Sequence, residues 1–244
     1  MSGTVEHVEN PAGPEPEEGT IQFGFELLPF ALGEVETLAA DPILPSLRAW
    51  RGILRDLALI GQTPELYAGF AYGNLSFRRA DDFVVTASQT SGAADLVLDD
   101  LVVVGQASTE RFWVDARGIA PPSSESITHA MLYAADHRIR CVLHVHNPVI
   151  WGNRTELQLL ETGADVGYGT PAMASAVAQL LDGHQTRPLI FATAGHEDGI
   201  FVCGRTPQDC GTLLVQVLAK ARALDGPPPA RAEVGEYDAQ SVTR

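Results

Sequence analysis

The chain has 244 residues, 45% hydrophobic and 19% charged, proportions ordinary for a globular protein that can bury a sizeable core. Its formal net charge of −15 argues against binding to nucleic acid or to anionic membrane, since both need clustered Lys and Arg. Three scattered cysteines (Cys141, Cys203, Cys210) are too few for a disulfide framework or a cysteine-based zinc site and suit a reducing compartment.

Residues 1–20 are rich in Pro, Glu and Gly, carry five acids and no Lys or Arg, and predict a disordered acidic tail. One folded domain is expected over 21–225, followed by a flexible tail over 226–244 that opens on Gly226-Pro227-Pro228-Pro229. Without a basic-then-apolar leader or an apolar run of eighteen residues, the expectation is a soluble, cytoplasmic protein. Apolar residues at helical spacing predict a helix over 44–60, with Pro45 in its first turn. Strands are predicted over 75–78, 83–87, 101–104 and 111–114. A helix from about 124 to 137 leads to a strand over 141–146, in which Cys141 reads as a small buried hydrophobe. A helix over 171–181 precedes strands at 189–192 and 200–203, the latter holding Cys203. The last helix, 206–224, has Leu213, Leu214, Val217, Leu218 and Ala221 as its apolar stripe. Strands in the middle with helices before and after predict an α/β fold with a mainly antiparallel or mixed sheet, rather than a doubly wound parallel one.

The chemistry concentrates in Pro122-Ser123-Ser124-Glu125 and His144-Val145-His146. Alternate strand residues share a face, so His144 and His146 point the same way and supply two of the three ligands of an open metal site. Glu125 falls at a helix start, where a carboxylate can act on whatever the metal polarises. That position also suits an acid through the helix dipole alone, and Ser123 or Ser124 could simply cap the helix. Of the remaining histidines, His7 is in the tail, His184 in a polar turn, His137 at a helix end, and His129 one turn after Glu125. His196 lies in a glycine-lined turn between two predicted core strands, from which it can reach the pair on the neighbouring strand. It is the expected third ligand. His129 and Tyr133 follow Glu125 at steps of four and could orient its carboxylate or pack against the sheet. Trp113, Trp151 and Tyr168 could line a pocket or belong to the core.

The ordered motifs Gly73-Asn74-Leu75-Ser76, Thr90-Ser91-Gly92, Pro122-Ser123-Ser124-Glu125 with His129, His144-Val145-His146, and His196 with Gly204 resemble the class II aldolase/adducin family over about residues 44–224. That resemblance implies a three-layer α/β/α sandwich, a homotetramer with active sites at subunit edges, and a divalent metal on His144, His146 and His196. The metal would be zinc most often, or manganese, cobalt or iron. The resemblance also implies Glu125 as the acid/base, and a phosphate or equivalent polar group held by Asn74, Ser91, Gly92, Ser123 and Ser124. Two departures stand out. The segment 86–92 is about three residues longer than the family's compact Thr-Pro-Ser-Gly, and Glu197 and Asp198 separate His196 from Gly199 where the family writes His-Gly.

The expected activity is that of a metal-dependent carbon–carbon lyase acting on a small hydroxycarbonyl, sugar phosphates included, through a metal-stabilised enediolate. Epimerase, dehydratase or decarboxylase chemistry shares that step. An Fe(II)-dependent oxygenase and a non-catalytic domain like the adducin head are the readings from other classes.

Overall fold

A computed structural model of the chain describes residues 20–224 apart from 109 and 185, so the two predicted tails lie outside the described residues. Among the described residues, nine strands form one sheet: β1 (Gly24–Leu28), β2 (Asn74–Arg79), β3 (Asp82–Thr86), β4 (Leu101–Ser108), β5 (Trp113–Arg117), β6 (Cys141–His146), β7 (Leu160–Glu161), β8 (Leu189–Ala192) and β9 (Gly199–Gly204). Their order is β1-β5-β4-β3-β2-β6-β9-β8-β7. The two outermost pairings, β1 with β5 and β7 with β8, are parallel, and the six between them are antiparallel. The sheet is therefore mixed and mainly antiparallel, as the distribution of elements predicts.

Six described helices flank it: α1 (Glu34–Ala39), α2 (Leu44–Asp56), α3 (Ser126–Ala135), α4 (Pro148–Gly152), α5 (Pro171–Asp182) and α6 (Pro207–Leu224). The period-two alternation of the strands sorts the core into two layers. Cys141, Leu143 and Val145 of β6 join Leu47 and Leu54 of α2 and Leu214 and Leu218 of α6 on one face. Val142 joins Ile127 and Leu132 of α3 and Met173 and Val177 of α5 on the other. Every residue of β6 and of β9 is buried, which puts these two strands at the centre of an α/β/α sandwich. The three cysteines are free and buried. No described helix is long and apolar enough to cross a membrane.

Three expected elements are corrected. Helix α2 stops at Asp56 rather than 60, because Ala58 adopts φ 55 and turns the chain so that Leu59 and Ile60 are buried. The strand expected at 111–114 runs Trp113–Arg117, with Phe112 at φ 52 making the turn before it. Helix α3 ends at Ala135, and Asp136 is extended (φ −146, ψ 113), so His137 lies exposed beyond the helix rather than on its last turn.

Asp136 ties this corner together. Arg138 bonds both carboxylate oxygens at 2.8 to 3.2 Å, and Arg187 approaches Oδ2 at 2.9 Å. The Arg138 hydrogen bonds, outweighing the opposing effect of burial, hold the Asp136 carboxyl down at about 2. A carboxyl depressed in the folded state contributes stability that is present above the unfolded aspartate value of about 3.9 and is lost as pH falls through about 2. In urea unfolding, Asp136→Asn should be less stable than the parent at pH 6, and the gap should close between pH 4 and pH 2.

Candidate active site

The site is built on the α3/α5 face of the sheet, where β6 ends. Because the pleat alternates, His144 and His146 emerge on that face while Val145 enters the opposite core. His146 pairs in register with Gly199 of β9, and the turn from Thr193 to Gly199 carries His196 back over β6. Backbone bonds from Thr193 N–H to the Gly199 carbonyl, from His196 N–H to Thr193, and from Gly199 N–H to His196 close this turn at 2.9 to 3.0 Å. Gly195 is needed there, since a Cβ would lie 2.2 Å from the Val166 carbonyl oxygen.

The three imidazoles each offer one ligand atom, and these atoms lie within 4.8 Å of one another. The Nε2 atoms of His144 and His146 are 3.2 Å apart. Two nitrogens at about 2.0–2.1 Å from a tetrahedral zinc ion sit roughly 3.3–3.4 Å from each other, so this pair has the separation that a shared ion requires. The His144 Nδ1 lies 3.2 Å from the Ile200 carbonyl, which accepts its proton and leaves Nε2 with the lone pair that a metal needs. Burial, followed by the neighbouring His146, His196 and His129, pushes the His144 imidazole well below its ordinary value, so it is neutral. Phe201 stacks on His144 at 4.2 Å and on Phe191 at 5.4 Å, while Tyr168 stacks on His196 at 4.7 Å. The donor set is buried and held on several sides. These residues fit a divalent metal.

Glu125 caps α3 and is 2% exposed. Its Oε1 lies 3.5 Å from His196 Nδ1, and its Oε2 accepts a 2.8 Å hydrogen bond from Thr128 Oγ1. Thr128 was not singled out from the sequence; its step of three from a capping acid was the available signal. His129 and Tyr133 are engaged elsewhere, with Ser76 Oγ 2.6 Å from both His129 Nδ1 and the Tyr133 hydroxyl. Burial drives His129 down to about 3, so it is a neutral core histidine. Of the two roles open to this stripe, the structure shows the second: His129 and Tyr133 are tied to Ser76 of β2 on the sheet.

Asn74 pairs in register with His144 and is buried beside it. Asn74, Ser91, Ser123 and Ser124 line one small polar cavity with Gln89, and Gly92 sits against the Gln62 side chain. A backbone bridge between Ala87 and Pro122, and a bond from Ser88 N–H to the Pro121 carbonyl, fasten the 86–92 loop to the Ser123-Ser124 segment. Arg51, 2% exposed, braces that loop by donating to the Thr90 and Ala93 carbonyls. Gly73 sets the position of Asn74: it adopts φ 76, and a Cβ there would lie 2.5 Å from Ile60 Cγ2 and 3.0 Å from the His144 carbonyl oxygen. Gly73→Ala should cost about 1–3 kcal/mol from overpacking alone, read as a lower urea midpoint.

The extra Glu197-Asp198 leaves the convergence of the three imidazoles intact. Glu197 is exposed, and Asp198 at φ 62 accepts a 2.8 Å hydrogen bond from the Tyr67 hydroxyl. Tyr67, whose ring packs edge-on against His146 at 4.8 Å, is a second site residue that the sequence reading missed. Of the three aromatics left open, Tyr168 reaches the site. Trp151 supports it through a bond to the Thr193 carbonyl, and Trp113 bonds Asp115 on β5.

Among known structures, an L-fuculose-1-phosphate aldolase from Thermus thermophilus matches 77% of this chain and 98% of its own, at 21% identity and TM-score 0.53. A second L-fuculose 1-phosphate aldolase covers 78% and 91%, at 18% identity and TM-score 0.57. YgbL from Klebsiella pneumoniae, described as a putative aldolase/epimerase/decarboxylase, covers 78% and 92%, at 15% identity and TM-score 0.56. These likenesses establish the fold. No curated protein matches the chain in sequence. The family model for the Class II Aldolase and Adducin N-terminal domain matches residues 65–223, which span the histidine cluster, Glu125 and the polar cavity, and the chain belongs to that family.

Proposed function

We propose that the protein is a divalent-metal-dependent lyase of the aldolase type, acting on a small hydroxycarbonyl. One observation carries the reading: three buried imidazoles converge within 4.8 Å, with the Glu125 carboxylate 3.5 Å from one of them. A divalent ion held by His144, His146 and His196, zinc by its liking for three nitrogen donors, supplies Lewis acidity toward adjacent hydroxyl and carbonyl oxygens. Glu125 then moves the proton at the carbon beside the carbonyl. Thr128 keeps one carboxylate oxygen occupied and so turns the other toward the histidines. Asn74, Ser91, Gly92, Ser123 and Ser124 receive the far end of the substrate, a phosphate or an equivalent polar group. Burial of the cluster keeps competing water away. The family resemblance extends the proposal to a cytoplasmic homotetramer.

The test is elemental analysis of protein purified without chelator, followed by phosphorylated and free hydroxyketones and hydroxyaldehydes scored for cleavage products. Stoichiometric divalent metal with aldehyde release is expected. Protein that takes up no metal would favour an interaction domain, and iron with oxygen uptake an oxygenase.

A further inference from the structure

We infer that the hydrogen bond between Tyr67 and Asp198 holds His146 and His196 in the orientations that let them share one ion, which makes Tyr67 and Asp198 positioning residues for the metal. The inference rests on the metal-dependent reading above and gives the longer 196–199 turn a purpose.

Asp198 stands between the two ligands it serves. It follows His196 by two residues in the same turn, and its carbonyl accepts a 2.9 Å hydrogen bond from the N–H of Asn147, the residue after His146. Its carboxylate is not one of the converging ligand atoms, which belong to His144, His146 and His196. Asp198 Oδ2 instead accepts the Tyr67 hydroxyl at 2.8 Å. The Tyr67 ring meets His146 edge-on at 4.8 Å, and Tyr72 packs on Tyr67 at 4.9 Å and on His146 at 5.9 Å. One bond therefore connects the turn that carries His196 to the face of His146. The rings of those two histidines lie 4.7 Å apart at 80°, so rotation of either one spoils their convergence. Groups that fix the orientation of a metal-binding imidazole act on affinity without touching the ion.

The backbone on both sides of this bond is bent to make it. Tyr67, Ala68 and Gly69 adopt φ 49, 55 and 81, and Asp198 adopts φ 62. Glycine and aspartate accept the left-handed region readily, whereas a bulky tyrosine does not. Such conformations persist only where the surroundings over-determine them, and they gather at functional centres. Around Tyr67 those surroundings are the Asp198 carboxylate, the His146 ring, and a 3.0 Å bond from Gln62 Nε2 to the Gly69 carbonyl. A phenylalanine would fill the same space; only the hydroxyl reaches Asp198.

The experiment is competition titration of zinc against a chromophoric chelator, using metal-free full chain of the parent, Tyr67→Phe, Asp198→Gly and Asp198→Asn. Tyr67→Phe keeps the ring and removes the donor. Asp198→Gly keeps the left-handed backbone and removes the acceptor, while Asp198→Asn keeps both. Zinc affinity should fall about tenfold or more in the first two, as when a group orienting a metal ligand is lost, and stay near the parent's in Asp198→Asn. Tyr67→Phe/Asp198→Gly should lose no more than either single change, because each removes the same bond. Cobalt(II)-loaded samples read the geometry: the absorption bands of Asp198→Asn should match the parent's, and those of Tyr67→Phe should not. Should Asp198→Gly fail to fold, Tyr67→Phe against Asp198→Asn still decides. Parent-like zinc affinity or an unchanged cobalt spectrum in Tyr67→Phe would overturn the inference and leave the functional reading standing. A loss in Asp198→Asn as large as in Asp198→Gly would trace the effect to charge rather than to the hydrogen bond and would overturn it too. A parent protein that binds no zinc would overturn the functional reading and this inference with it.

Discussion

Glu125→Gln is expected to retain the full metal content of the parent and to lose about 10²–10⁴-fold in turnover, the usual contribution of a positioned acid/base. The amide is nearly isosteric and can still accept from Thr128, so the 2.8 Å bond survives, and α3 loses no side-chain cap because the Glu125 side chain makes none. What disappears is the capacity to take up and return a proton beside the histidines. Solvent-deuterium incorporation into dihydroxyacetone, followed by proton NMR, reads that step even where carbon–carbon cleavage is slow. Circular dichroism and elemental analysis of the same sample separate lost chemistry from lost structure. Unchanged exchange in the variant would remove the role given to Glu125.

The second large effect concerns the ligands. His144→Ala/His146→Ala should fold yet retain no stoichiometric metal, because two of the three converging donors are gone and His196 alone cannot hold an ion against water. Any ligand that binds only the folded state raises its stability by RT ln(1 + [L]/Kd), about 4 kcal/mol at a thousandfold excess over Kd. Added zinc should therefore raise the melting temperature of the parent and leave that of the double variant unmoved. A variant that still binds one equivalent, or a parent indifferent to zinc, would sink the metal assignment.

How much of this was legible in the chain depends on how local each signal was. The strand at Cys141–His146 was readable to the residue, since six consecutive residues alternate between two cores and end at Asn147, whose side chain caps α4. The convergence of His144, His146 and His196 followed from that alternation and from a glycine-lined turn. Strand β1 and helix α1, by contrast, lie in a stretch from which no element was predicted. Gly24–Leu28 becomes a strand because it finds an edge on β5, a partner nearly ninety residues later that no local pattern announces. The same limit hid Tyr67, which reaches His146 only because Tyr72 and Gly61 bridge the intervening turn. Family order marks the 86–92 loop as longer than usual, but its fastening to Pro121 and Pro122 depends on pairing with a segment some thirty residues later that no local pattern announces.

The aromatic stack running from Phe191 through Phe201 to His144 joins the reactive centre to the hydrophobic interior. One imidazole is thereby clamped from within, in a wall of rings continuous with the filling of the sandwich. Interior volume at positions 191 and 201 is consequently a determinant of how rigidly the cation would be gripped, and substitutions there act on the chemistry without touching any reacting atom.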